Sequence, residues 1–207
     1  MNDRCADGRP VLFLDVDGPL IPFGGPNERG PEGQLDRLPD GLPGRLPGRP
    51  ASPGSPTFPA FPASPASGNP LLGRLDPTVG RRLLALGCDL VWASTWLDDA
   101  NEVVAPRIGL PVLPVVRWPD ASTSMSTSTV AEEGPRGLHW KTPHIVEWAG
   151  SRPFIWVDDE IGDMDRFWVD AQHPGPSLLH RVDPGRGLGD DDFVALAGWL
   201  GAAVPRA

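Results

Sequence analysis

Apolar residues in this chain fall into short unbroken runs, separated by stretches whose apolar positions recur at helical spacing. The runs are Val11-Leu-Phe-Leu-Asp15, Leu90-Val-Trp-Ala93 and Phe154-Ile-Trp-Val157, with further strands expected at Val112 to Val116 and Leu178 to Val182. Continuous apolar runs of this length mark strands buried on both faces. Between them, Asp76-Pro77 opens a helix with a capping acid and a first-turn proline; Leu83, Leu84 and Leu86 supply its apolar stripe and Gly87 stops it. Further helices are expected near Leu97 to Ala105, from Thr142-Pro143 to Gly150, near Ile161 to Ala171, and from about Asp190 to Leu200. Strand-helix alternation with apolar strands predicts an α/β fold, a doubly wound parallel sheet with right-handed crossovers. Ligands of such sheets gather at the carboxyl ends of the strands.

The alternation is interrupted by a different kind of polymer. From about Pro39 to Pro70 a proline recurs every three or four residues. Proline lacks a donor and fixes φ, so this stretch can form neither helix nor central strand. Phe58 and Phe61 cannot offset the entropy of ordering it. Residues 25–70 therefore read as a disordered or polyproline-like insert, with 1–24 and 71–207 forming one catalytic domain around it. A second low-complexity loop, Ser122 to Thr129, has nothing to pack.

Composition narrows the function classes. Gly 25 and Pro 27 make up a quarter of the 207 residues, most of the excess lying in the insert. A formal charge of −9 argues against generic binding of nucleic acid or an anionic membrane. The N-terminal residues carry acids where an export signal needs bases, and the first apolar run is too short to span a bilayer. Two cysteines, Cys5 and Cys88, give neither a disulfide framework nor a metal spacing. The expectation is a reduced cytoplasmic protein with one exposed and one buried thiol. Of the 18 basic residues only Lys141 is a lysine. In a chain that otherwise uses arginine, a solitary lysine points to a site needing a compact ammonium, although chance would give the same count.

The strand ends carry the candidate chemistry. The first ends in Asp15-Val16-Asp17-Gly18, the second in Ser94-Thr95, and the fourth in Asp158-Asp159, with Lys141 at the entry to the preceding helix. Singly, each has an ordinary explanation. Asp-x-Asp-Gly suits a turn, Asp158-Asp159 would cap a helix, Ser94 or Thr95 is another cap, and Lys141 is a surface charge. Together, if these strands are neighbours, four carboxylates, a hydroxyl pair and one ammonium meet on one rim. Carboxylates gathered there need a cation, and an oxygen-only donor set selects a hard one such as magnesium. Such a site suits phosphoryl transfer: a carboxylate nucleophile, a second carboxyl as acid and base, and cations that stabilise the spread charge.

In this order the four segments resemble the four motifs of the haloacid dehalogenase-like (HAD) hydrolases. Trp92-Ala-Ser-Thr-Trp96, Lys141-Thr-Pro143 and Trp156-Val-Asp-Asp-Glu160 are similar, more narrowly, to small HAD domains associated with bacterial RNA repair proteins. The resemblance covers about 10–22 and 72–200. It implies a Rossmann-like sheet in the order 5-4-1-2-3, magnesium, and an aspartyl-phosphate intermediate. Asp15 would be nucleophile and metal ligand. Asp17 would be the acid/base, lending the metal its backbone carbonyl, and Gly18 would let the chain turn around the substrate. Ser94, with Thr95 as the alternative, would hold the phosphoryl group; Lys141 would neutralise Asp15 and the phosphate. Asp158 would complete the metal site, helped by Asp159.

Two departures bear on this. Pro19 stands where the family commonly has Thr or Val, removing a backbone donor. The insert and the 117–140 loop occupy the positions of cap domains but offer no core, so no folded cap is expected and the site should be open. The function expected is a magnesium-dependent phosphohydrolase acting on a phosphate monoester. The alternatives are a nucleic-acid end phosphatase in RNA repair, or a HAD-like binding or scaffold module without turnover. His139, His144, His173 and His180 show no ligand spacing. Most of the eight tryptophans read as core, leaving Trp96 and Trp140 beside the proposed site. Asp163 and Asp165 lie a turn past the diacid, where they could assist the metal, but read first as solvated helix charges.

Overall fold

Strand β1 (Val11–Leu14) is the spine of the molecule, hydrogen-bonded on both sides. The computed structural model describes residues 8–24, 69–119 and 137–203. Within them, β1 pairs with β2 (Asp89–Trp92) and β3 (Phe154–Asp158), and β3 pairs with β4 (Ser177–Arg181). Every pairing is parallel and the order is β2-β1-β3-β4. The fold is therefore α/β, and the strands expected at 11–15, 90–93, 154–157 and 178–182 are present to within a residue or two. The expected insert at 25–70 and the Ser/Thr-rich loop at 122–129 fall outside the described residues, apart from Asn69 and Pro70. Asn69 caps a short 3-10 helix, Pro70–Arg74, accepting from Leu71 N; Cys5 is also outside.

Successive residues of an extended strand face opposite sides, and both sides here are apolar. Leu12 and Leu14 of β1, with Trp92, Ile155 and Val157, pack against helices α1 (Val79–Ala85), α2 (Ala105–Ile108) and α5 (Asp190–Ala203). Val11 and Phe13, with Val91, Phe154 and Trp156, pack against α3 (Thr142–Ala149) and α4 (Asp163–Gln172). Two separate apolar layers around one sheet explain why the strands read as unbroken apolar runs.

The sequence predicts a fifth strand at 112–116, and the structure corrects this. Residues 111–116 run extended beside β2 but make a single parallel bridge, Trp92 to Val115. Pro111 and Pro114 have no amide to donate to a ladder, and Val112 is 81% exposed. Asn101 takes the place of a partner strand: its side chain accepts from Leu113 N at 2.9 Å and donates to Leu113 O at 2.8 Å. The helix expected near 97–105 also differs. It is a π-helical turn, Ala100–Val104, running into α2. Pro106 sits in the first turn of α2, where no donor is required, and left-handed Gly109 caps its end. Asp76 accepts from Thr78 N at 2.8 Å, and α1 starts at Val79, two residues later than the pattern suggests. No helix among the described residues is long and apolar enough to cross a membrane.

Register fixes what the sheet presents at its carboxyl edge. Leu14 is level with Trp92 on one side and with Val157 on the other. The chain therefore leaves β1, β2 and β3 side by side, with Asp15, Ala93-Ser94 and Asp158-Asp159 at one rim.

Candidate functional site

At that rim, Lys141 reaches in from the start of α3 and touches two acids. Its Nζ lies 3.0 Å from Asp15 Oδ2 and 2.9 Å from Asp158 Oδ2. All three side chains are buried, Asp158 completely. Trp156 Nε1 donates to Asp158 Oδ2 at 3.3 Å and Glu160 N donates to Oδ1 at 2.9 Å. Thr142 does not cap α3: it is the first helical residue, and its hydroxyl donates to Asp165 Oδ1 at 2.6 Å.

One ammonium faces more negative charge than it can neutralise. Carboxylate oxygens of Asp15, Asp158 and Asp159 come within 4.8 Å of one another. Burial, together with the Asp158 charge, pushes the Asp15 carboxyl up to about 7 although Lys141 opposes it. For Lys141, burial works against the ammonium, but Asp15 and Asp158 outweigh it and hold its pKa above the ordinary value. Lys141 thus stays charged, while Asp15 is the acid left short of compensation. Asp159 is raised by burial and then by Asp158. An added hard cation would relieve this imbalance, and the all-oxygen donor set suits one.

Asp17 is placed differently. Its carboxylate accepts from Trp96 Nε1 at 2.8 Å and is not among the three acids that converge. Only its backbone carbonyl was implicated in the metal site by the resemblance. Burial raises the Asp17 pKa, with Trp96 and Lys141 opposing. Gly18 has φ +81°, and a Cβ there would lie 2.4 Å from Asp159 Oδ1, so only glycine fits this approach. Pro19 belongs to a turn closed on itself: Leu20 N and Ile21 N both donate to Val16 O, Gly18 N to Ile21 O, and Leu188 N to Pro19 O.

Ser94 is fully buried; its hydroxyl accepts from Trp96 N at 3.3 Å and opposes the rise in the Asp15 pKa. Thr95, the alternative, is exposed on the same turn. Leu97, two residues on, has φ 49°, a left-handed conformation unusual for a γ-branched residue. The turn after β2 thus holds Ser94 and Trp96 by a strained backbone.

Three contributors escaped the sequence reading. His139 Nδ1 accepts from Lys141 N at 3.2 Å, which leaves Nε2–H to donate to Glu160 Oε2 at 3.0 Å. Asp165 is 1% exposed, not a solvated helix charge; it accepts from His139 N, Thr142 Oγ1 and Gly162 N. Its position three residues after Gly162 is that of the acid in a capping box, the one signal that could have marked it. Trp118 donates to Ser94 O at 3.1 Å. Comparison of the chain with family models, with curated proteins and with solved structures gives no match to any of them.

Proposed function

We propose that this chain is a magnesium-dependent phosphohydrolase of the HAD-like type, acting on a phosphate monoester through an aspartyl-phosphate on Asp15. The observation that carries the reading is the buried Asp15–Lys141–Asp158 contact, with Asp159 beside it, at the carboxyl ends of adjacent parallel strands. The strand order, with the single bridge at Val115 lying beyond β2, supports the HAD-like arrangement.

The residues divide the work as follows. Lys141 and Ser94 orient Asp15 so that one carboxylate oxygen attacks phosphorus, and the ester P–O bond breaks. Asp17, aimed by Trp96, donates its proton to the leaving oxygen. It then accepts a proton from the water that attacks the acyl-phosphate, releasing phosphate and restoring Asp15. Magnesium held by Asp15, Asp158 and the Asp17 carbonyl, with Asp159 assisting, would supply charge neutralisation for the phosphoryl oxygens. Among the described residues Asp17, Asp159 and Trp140 are at least partly exposed at the rim, consistent with an open site that admits varied esters.

The test is phosphate release from a generic aryl phosphate. Release should require magnesium and vanish in Asp15→Asn. If the wild type releases none, and binds beryllofluoride no better than the variant, the chain is a HAD-like binding module and this assignment fails.

A further inference from the structure

The hydrolytic chemistry makes no use of Trp140, yet this indole is 47% exposed beside the cluster. Its ring centroid is 5.8 Å from Lys141 Nζ, the ammonium that touches Asp15. Trp118 packs edge-on against it, centroids 4.9 Å apart at 76°, and is tied through its own N–H to Ser94 O. His139 lies nearly parallel to Trp140, at 5.6 Å and 28°, and is fixed between Lys141 N and Glu160. Each ring is thus anchored to a segment that also carries a site residue. Rings held in place lose little freedom when another ring stacks on them, and every nucleobase offers a π-face of the kind an indole accepts.

We propose that Trp140, backed by Trp118 and His139, is a stacking shelf for the base of a nucleoside monophosphate whose phosphate enters the Asp15–Lys141–Asp158 cluster. This deepens the phosphohydrolase reading and rests on it. Charge favours a mononucleotide over the end of a polynucleotide. A strand needs several cations along its backbone, whereas the chain carries −9 and Arg117, next to Trp118, is held bidentately by Asp98 at 2.7 Å.

The experiment compares adenosine 5′-monophosphate with ribose 5-phosphate, which differ only by the base, using the full chain with magnesium. The ratio of kcat/KM values should favour the nucleotide by about tenfold or more. It should fall towards one in Trp140→Ala and be largely kept in Trp140→Phe. Turnover of both without preference overturns the shelf and leaves the hydrolytic reading standing. If neither is turned over, calorimetry decides the shelf: nucleotide binding that Trp140→Ala abolishes upholds it and no binding overturns it, while the hydrolytic reading stands or falls on the aryl phosphate assay. A 5′-phosphorylated oligonucleotide turned over more than about tenfold better than the mononucleotide overturns the choice of ligand.

Discussion

Gly18 packs so closely on Asp159 that a side chain at position 18 would collide with it: a Cβ there would fall 2.4 Å from Asp159 Oδ1 and 2.9 Å from its Cβ. The backbone of Gly18 is left-handed, at φ +81°. Gly18→Ala therefore acts twice. The conformation itself costs roughly 1–2 kcal/mol, and Asp159 must move off the edge of the cluster. The melting temperature should fall, and magnesium affinity should weaken by about tenfold, the scale on which displaced supporting groups act. A magnesium titration unchanged from wild type would remove Asp159 from the metal site.

The acids at the rim also set a pH dependence. Asp15 is raised from 3.8 to about 7 by burial and by Asp158, against Lys141; Asp17 and Asp159 are raised in the same direction. A carboxyl whose folded pKa is raised stabilises the fold fully only below its unfolded value, and that contribution is lost as pH climbs through the folded one. Lys141 is raised from 10.5, so its contribution does not change over this window. Without metal, thermal stability should decline from about pH 4 to about pH 7 and level off above that. Magnesium binds the ionised acids, so the rise in melting temperature on adding it should be larger at pH 8 than at pH 5. Equal shifts at the two values would mean that the acids do not hold the ion.

Much of this arrangement is legible in the sequence because strand ends are punctuated. Asp15, Ser94 and Asp158 each follow an apolar run, and a parallel sheet brings such ends to one edge. Lys141 is visible by rarity alone. The supporting contacts are not legible, because they join residues that no local pattern relates. Trp118 reaches Ser94 across 24 positions, His139 reaches Glu160 across 21, and Asp165 is bonded to His139 across 26. The misread strand at 112–116 shows the converse. Its apolar content was read correctly, but two prolines without donors outweigh it, and the Asn101 side chain supplies the partner that a ladder would have given.

Cys88 gives a prediction remote from the rim. Cys88 is half-buried, not the fully buried thiol expected, and this partial burial, with Asp89 nearby, pushes its thiol from 9.0 up to about 11. At pH 8 the thiolate, the reactive form, should be roughly a hundredfold scarcer than in a thiol titrating at the ordinary value. In a Cys5→Ser background, iodoacetamide should alkylate Cys88 slowly in the native protein and rapidly in denaturant. Because the folded state favours the neutral thiol, stability from this group persists below pH 9 and is lost as pH rises towards 11. Rapid native alkylation at pH 8 would contradict the burial.

Asp165 is the residue on which the position of Lys141 depends. Its Oδ1 takes the Thr142 hydroxyl at 2.6 Å and the His139 amide at 2.8 Å, gripping the chain on both sides of Lys141; Oδ2 takes Gly162 N at 2.8 Å. Asp165→Ala leaves three donors without an acceptor, each worth about 1–3 kcal/mol when buried and unpaired. Asp165→Asn keeps one acceptor oxygen but turns an NH2 group towards a donor on the other side. The alanine variant should be destabilised by several kcal/mol on this scale, and the asparagine variant by less. Both should lower kcat more than they raise KM, since a displaced ammonium affects the charge developing in transfer more than the docking of the ester. Denaturant titration and steady-state kinetics on the asparagine variant check this. A folded asparagine variant with unchanged kcat would show that Lys141 holds its place between Asp15 and Asp158 without help from α4.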